Sequence, residues 1–216
     1  MIRDKSLVIW DWNGTLLDDT LVCITAMNRM LVRRGMPLLE EVRYREVFTF
    51  PVRKYYIELG FDFTRESFED LSVEFVALYR ELQVGAGLHD GAHELLEAFR
   101  KTGKRQVILS AMERSTLIGD VTARGIAGFF DSILGVEDHY ACGKTGIARH
   151  FLEASGTDPA TAVLLGDTRH DFEVASMLGC DCILVANGHH SFGRLNATGA
   201  TVQKNLAGVL NLLINP

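Results

Sequence analysis

Residues 7–15 read Leu7-Val8-Ile9-Trp10-Asp11-Trp12-Asn13-Gly14-Thr15, and this stretch decides the fold. Its apolar start predicts a short buried strand. Asp11 stands at the carboxyl end of that strand, and a Gly-Thr turn follows it. A carboxylate in that position suits a nucleophile. Asn13, two residues on, carries an amide that neither gives nor takes a proton at neutral pH.

The composition is that of a soluble globular protein with one domain, or one domain and a smaller insertion. The chain has 216 residues, of which 47% are hydrophobic and 23% charged, and a net charge of −6. This acidic balance argues against nucleic acid, whose phosphates demand a basic surface. No apolar run reaches the roughly 20 residues of a membrane span, and no signal peptide is predicted. We therefore expect a cytoplasmic protein with no membrane partner, of undetermined oligomeric state.

Short apolar runs alternate with helical patterns through most of the chain. Such alternation predicts a parallel sheet covered on both faces, that is, a doubly wound (Rossmann-like) α/β core. Gly103, Gly125 and Gly179 are expected to end three of the helices. The predicted strands are 7–10, 106–109, 132–136, 162–165 and 182–185, and the predicted helices are 91–102, 115–124, 145–154 and 170–178.

Residues 18–82 show a different pattern. They contain no convincing strand, and the apolar residues of 21–31 and 68–82 recur at helical spacing. We predict an all-helical cap domain at 18–82, inserted after the first strand. Residues 1–17 and 83–216 would then form the α/β core, with 84–87 as the return linker.

Polar side chains stand at four points along the predicted core. Asp11, Ser110 and Asp167 follow strands, whose carboxyl ends form the ligand-binding edge of an open α/β sheet. Lys144 opens a helix that can face the same crevice, and Asp171 follows Asp167 closely. Carboxylate oxygens are the ligands that Mg²⁺ prefers. Such a cation would neutralise the charge of a phosphoryl dianion while Asp11 attacks it. Each residue alone has an ordinary explanation, such as a helix N-cap for Ser110.

In this order the residues resemble the four motifs of the haloacid dehalogenase-like hydrolase superfamily. The resemblance is to phosphoglycolate phosphatase-like members with a helical cap, and it covers nearly the whole chain. It implies a phosphatase that acts on a small phosphorylated metabolite through an aspartyl-phosphate intermediate at Asp11, with Mg²⁺ as cofactor. The implied roles are catalysis by Asp11, Asn13 and Lys144, phosphate binding by Ser110, Ala111 and Lys144, and metal binding by Asp11, the backbone carbonyl of Asn13, Asp167 and Asp171.

Asn13 is the main departure from that pattern. The phosphatases of the superfamily carry an aspartate here, which protonates the leaving alkoxide and then activates water. Loss of general acid–base catalysis typically costs about 10²–10⁴-fold in rate. Three outcomes stay open: a substrate with a good leaving group, proton transfer by another group such as His170, or a slow or inactive phosphate-binding protein.

A second resemblance is to phosphonoacetaldehyde hydrolase of the same superfamily. That enzyme also has Asp-Trp-x-Gly-Thr with a non-acidic residue two after the nucleophile, and it forms an imine through a cap lysine. Lys54 lies at a loosely comparable place in this chain. The alternative function is therefore hydrolysis of a carbon–phosphorus bond using Lys54.

The remaining candidates favour structural roles. Cys180 and Cys182 lie in or beside a predicted strand and would share one buried face, rather than bind zinc, which needs further ligands at suitable spacing. Cys23 and Cys142 are scattered elsewhere. His189 and His190 follow the last predicted strand and are expected in a loop, although they could line the crevice.

Overall fold

The computed structural model describes residues 2–136 and 143–215. Six parallel strands form one sheet in the order β3-β2-β1-β4-β5-β6. The order reverses direction beside β1, which pairs with β2 on one side and β4 on the other. The predicted α/β class is confirmed. The strands are β1 (Leu7–Trp10), β2 (Arg105–Glu113), β3 (Ser132–Val136), β4 (Ala162–Gly166), β5 (Asp181–Val185) and β6 (Thr201–Gln203).

The described residues form ten α-helices. Gly103, Gly125 and Gly179 follow three of them with positive φ, as predicted for helix ends. The helices are α1 (Thr20–Arg33), α2 (Glu41–Val47), α3 (Val52–Leu59), α4 (Phe68–Leu82), α5 (Ala92–Lys101), α6 (Arg114–Ala123), α7 (Gly143–Ala154), α8 (Arg169–Leu178), α9 (Phe192–Asn196) and α10 (Leu206–Ile214).

Two apolar layers cover the sheet, because the side chains of β1 alternate between its faces. Val8 and Trp10 pack with apolar residues of α5, α6 and α10. Leu7 and Ile9 pack with those of α7 and α8 on the other face. All four side chains of β1 are buried. The central strand is therefore rigidly held, and its carboxyl end presents Asp11 at a fixed place.

Helices α1–α4 follow β1 and have an apolar cluster of their own. Its buried members include Met27, Tyr44, Tyr56 and Leu71. The helices also contact the core, for example where α9 and the loop after β5 meet the end of α2. The Arg194 guanidinium donates to the carbonyl of Phe48 over 2.8 Å, and a ring nitrogen of His190 lies 2.9 Å from the same oxygen.

Three details differ from the sequence-based picture. Strand β2 continues to Glu113, whose side chain accepts from the backbone of Ser115 and caps α6. Cys180 and Cys182 pack against the apolar layer of α7 and α8 as expected, but they are half-buried, and Cys180 precedes β5. Cys142 lies outside the described residues.

Across 2–136 and 143–215, the helices include none with the length and apolar character needed to span a membrane.

Candidate active site

Asp11 lies at the carboxyl end of β1 and forms an ion pair with Lys144. The Lys144 ammonium is 2.7 Å from Asp11 Oδ1 and 2.5 Å from Asp171 Oδ1. Residue Asp171 is the third residue of α8, where its other oxygen accepts from the Thr168 hydroxyl over 2.7 Å in a capping box. The start of α8 therefore fixes Asp171, and Asp171 in turn positions Lys144 against Asp11.

Asp167 follows β4 and is held from two sides. Its Oδ1 accepts from the Thr15 hydroxyl over 3.0 Å, and its Oδ2 accepts from the backbone N–H of His189 over 2.6 Å. Gly14 and Gly188 lie so close to this carboxylate that a Cβ at either position would overlap it. The turn after β1 and the loop after β5 thus enclose Asp167 because both carry glycine there.

Three aspartates form what we call the acidic cluster: Asp11, Asp167 and Asp171. One oxygen of each lies within 4.8 Å of the others, and all three side chains are buried. Burial and Asp171 raise the pKa of Asp11 to about 8, against the lowering effect of Lys144. Burial raises the pKa of Asp167 to about 6, against His189. The cluster therefore holds more negative charge than Lys144 compensates.

Lys144 is charged despite its burial. Burial alone lowers the pKa of Lys144, but Asp11 and Asp171 reverse this and raise it above its ordinary value. Burial likewise disfavours the Asp171 carboxylate, yet Lys144 and Thr168 hold its pKa below the usual range. The buried carboxylate oxygens of the cluster are hard ligands of the kind that fit a divalent cation such as Mg²⁺.

Besides Lys144, two residues were predicted to bind phosphate, Ser110 and Ala111. Ser110 is buried within β2, and its hydroxyl oxygen accepts from the Met112 N–H over 3.1 Å. Ala111 is exposed, and both residues line the same cavity as Asp11 and Lys144. Ser110 is not the N-cap of the next helix, since β2 runs on and Glu113 takes that place.

Asn13 belongs to a hydrogen-bonded group that the sequence did not reveal. Its side-chain amide donates to Asp19 Oδ2 over 2.8 Å and to the Tyr79 hydroxyl over 2.7 Å. Tyr79 itself donates to Asp19 over 2.6 Å, and the Gly14 N–H donates to the other oxygen of Asp19 over 2.9 Å. Asp19 is wholly buried, so these donors replace the water that its charge would otherwise require.

His189 joins this group to the cap. Its Nε2 lies 3.5 Å from Asp19 Oδ1, and its Nδ1 lies 2.9 Å from the Tyr44 hydroxyl of α2. Burial lowers the pKa of His189, but Asp19 and Asp167 outweigh burial and raise it to about 9. Burial likewise raises the pKa of Asp19, but His189, Tyr79 and Asn13 together hold it below its ordinary value. His189 and His190 do occupy a loop, yet both are buried.

One signal in the sequence could have identified Asp19. Two acids in succession, Asp18 and Asp19, precede the first helix of the cap, and Asp19 occupies the N-cap position of α1. An N-cap aspartate normally accepts from the helix backbone. Here the side chain makes no such bond. It turns back to Asn13 instead, which sequence spacing alone does not indicate.

A cavity of about 440 Å³ opens between the α/β core and helices α1–α4. Asp11, Asn13, Asp19 and Lys144 line its core side. His170 lies at this cavity with its ring 5.0 Å from that of Phe50. The exposed Lys54 of α3 is not among the described residues that line it.

Comparisons with known proteins agree with this architecture. Tyrosine-protein kinase PtkA of Mycobacterium tuberculosis is 26% identical over 209 residues, or 96% of this chain and 71% of that protein. The phosphoglycolate phosphatase of Neisseria gonorrhoeae is 26% identical over 216 residues, or 97% and 92%. A haloacid dehalogenase-like hydrolase of Streptococcus pneumoniae superposes with a TM-score of 0.78 at 20% identity, covering 97% and 98%. The model of the haloacid dehalogenase-like hydrolase family matches residues 8–185, and the chain belongs to that family, as its four motifs predict.

Proposed function

We propose that the protein is a Mg²⁺-dependent phosphatase of small phosphorylated metabolites that works through an aspartyl-phosphate at Asp11. The observation that carries this proposal is the Asp11–Lys144–Asp171 arrangement at the carboxyl end of β1. It holds a carboxylate in one orientation at the floor of a cavity. The similarity to the phosphoglycolate phosphatase of Neisseria gonorrhoeae supports the same function.

The residues around Asp11 are suited to binding a substrate phosphoryl group. Lys144 holds Asp11 Oδ1 and adds positive charge beside the phosphoryl oxygens. Ser110 and Ala111 line the cavity from the neighbouring strand β2 and would hydrogen-bond those oxygens. Asp11 attacks phosphorus, the bond to the leaving oxygen breaks, and water later cleaves the aspartyl-phosphate to release phosphate.

The acidic cluster would hold the metal, with Asp11, Asp167 and the backbone carbonyl of Asn13 as its ligands. A bound Mg²⁺ supplies positive charge that draws the phosphoryl dianion to the carboxylate. Asp171 Oδ1 accepts from the Lys144 ammonium, and its Oδ2 accepts from both the N–H and the hydroxyl of Thr168. Each oxygen of Asp167, by contrast, accepts from one neutral donor. We therefore assign Asp171 to positioning, or to the metal through water, rather than to direct ligation.

Placement of Lys54 weighs against the carbon–phosphorus alternative. An imine with the substrate would require its amine inside the cavity, whereas Lys54 is exposed on α3. The neighbouring Arg53 lies outside as well, with its guanidinium 4.8 Å from the ring centre of Phe63. A weakly active phosphate-binding protein is the other alternative, and the experiment below separates it.

Acetyl phosphate tests the proposal, because its leaving group needs no proton. With labelled acetyl phosphate and Mg²⁺, wild type should acquire one acid-stable, alkali-labile phosphoryl group and release inorganic phosphate. Asp11→Asn should lose both, whereas Asp90→Asn, at an exposed aspartate of the core, should retain both. Turnover that survives Asp11→Asn would overturn the mechanism. Binding of acetyl phosphate without any labelling would support the phosphate-binding alternative. Cleavage of phosphonoacetaldehyde that depends on Lys54 would establish carbon–phosphorus bond hydrolysis.

A further inference from the structure

The cap side of the cavity is made largely of carbon. We call this part the apolar chamber and define it by Met27, Phe48, Val52, Tyr55, Phe75 and Val76. The cavity volume of about 440 Å³ falls within the usual range for ligand sites. An apolar space of about 150 Å³ is enough for benzene. A ring therefore fits between the chamber and Asp11.

Ring contacts fix the chamber. Phe48 stacks on Tyr44 with centroids 5.2 Å apart and meets Tyr55 edge to face at 5.3 Å. Phe75 stacks on Tyr79, which belongs to the Asn13 group. Apart from the Tyr55 hydroxyl, which has no hydrogen-bond partner among the described residues, the six chamber side chains offer a sugar or polyol only carbon and sulfur. Burying its other hydroxyl groups there would cost free energy. An aromatic ring would instead gain offset or edge-to-face contacts.

Asn13 adds a second, independent constraint. Its amide nitrogen donates to two acceptors, Asp19 Oδ2 at 2.8 Å and the Tyr79 hydroxyl at 2.7 Å. The opposite orientation of the amide would place its oxygen against the Asp19 carboxylate, so the hydrogen-bond network fixes the observed one. Two acceptors therefore engage the amide nitrogen, which in any case carries no acidic proton for a leaving oxygen.

Resting on the proposed aspartyl-phosphate chemistry, we propose that the substrate is an aryl phosphate whose ring occupies the apolar chamber. Asp11 forms a bond to phosphorus, the bond between phosphorus and the phenolic oxygen breaks, and the electron pair leaves on that oxygen. The phenolate then takes a proton from water. Phenols ionise near pH 10, as tyrosine does, whereas alkoxides are far more basic. A phenolate therefore departs without the acid that Asn13 cannot supply.

Phenyl and benzyl phosphate form a matched pair, because both carry a ring but only the first leaves as a phenolate. With Mg²⁺, kcat/KM for phenyl phosphate should exceed that for benzyl phosphate by about 100-fold or more, the usual worth of an absent general acid. The kcat/KM values for both ring compounds should exceed the value for glycerol 3-phosphate. Equal values for phenyl and benzyl phosphate, or a preference for glycerol 3-phosphate, would overturn the proposal. Labelling by acetyl phosphate would meanwhile leave the proposed function intact.

Binding to Asp11→Asn gives a readout that does not depend on turnover. By calorimetry with Mg²⁺, this variant should bind phenyl phosphate more tightly than glycerol 3-phosphate or inorganic phosphate. Adding Val76→Gln at the chamber wall should weaken the binding of phenyl phosphate about fourfold, which corresponds to losing roughly one buried methylene contact. Val73→Gln on the same helix, outside the chamber, should have no effect. No preference for the ring, or equal effects of the two valine variants, would exclude the chamber as its site.

Discussion

Asn13 and Asp19 form a matched amide–carboxylate pair, and this pairing controls what a substitution at Asn13 can achieve. The amide donates to Asp19 over 2.8 Å, and Asp19 is wholly buried. An aspartate at position 13 would bring two carboxylates together there. Like charges at that distance disfavour each other's ionisation and leave a hydrogen bond unmade. Restoring the usual acid of the superfamily therefore requires a change at both positions.

We predict that Asn13→Asp alone lowers the free energy of unfolding by about 1–3 kcal/mol. The double variant Asn13→Asp/Asp19→Asn should recover most of that loss and hydrolyse benzyl phosphate about 10²-fold faster than wild type. Urea denaturation of wild type, both single variants and the double variant gives the coupling energy. Additive effects of the two substitutions would contradict the pairing.

Residues on strand ends were predictable at this scale, and residues that meet across the cap were not. Asp11 and Asp167 each follow a buried strand, and neighbouring parallel strands bring such positions together. Tyr79 and His189 reach Asp19 from α4 and from the loop after β5, respectively. No local periodicity encodes that meeting. The ordinary N-cap explanation for Ser110 fails for a different reason, because β2 runs four residues beyond the predicted strand end and Glu113 caps α6.

At the scale of elements, the loop after β5 is shaped by the carboxylate that it encloses. A Cβ at Gly188 would overlap Asp167 Oδ2 and the carbonyl of Gly14, both of which are fixed. We expect Gly188→Ala to displace Asp167 and to weaken Mg²⁺ binding about tenfold, as is typical of changes around metal ligands.

Titration calorimetry with Mg²⁺ measures this effect, and Gly193→Ala is the control. Gly193 lies in α9, just beyond the loop, and a Cβ there meets no atom within 4 Å. The control should bind Mg²⁺ like wild type. Unchanged affinity in Gly188→Ala would show that Asp167 is not a ligand or that the loop yields without cost.

Elements were predicted best where an apolar pattern was long enough to reveal its period. Strand β1 and helix α4 match their predicted bounds, and α5–α8 differ by one or two residues at their ends. Strand β6 was missed because three residues, Thr201–Gln203, give no alternation to detect. The cavity is lined by α4, whose helical pattern was detected, and also by α3 and the segment before it, which were not predicted as separate elements. The cap side of the cavity was therefore only partly predictable.

At the scale of the whole molecule, the acidic cluster couples folding to pH and, on the proposed function, to Mg²⁺. Asp11 and Asp167 have folded pKa values of about 8 and about 6. An unfolded chain releases these protons near pH 4. Between pH 4 and 8 the folded protein therefore binds more protons, and its stability falls as pH rises. His189 acts in the same direction: its stabilising contribution is complete below about pH 6.5 and is lost as pH rises through about 9.

We predict that in EDTA the melting temperature falls between about pH 5.5 and pH 8.5, because these three groups together outweigh His190, whose lowered pKa acts in the opposite direction below about pH 6.5. Mg²⁺ should raise it, and more at the higher pH, because the ion binds ionised carboxylates and favours the folded state by mass action. Differential scanning calorimetry at both pH values, with and without Mg²⁺, measures both effects. Asp167→Asn removes a carboxyl group with a raised pKa that is also a proposed Mg²⁺ ligand. It should therefore flatten the pH dependence of the melting temperature and diminish the shift that Mg²⁺ causes. A melting temperature in EDTA that rises with pH, or an equal Mg²⁺ shift at both pH values, would contradict the coupling.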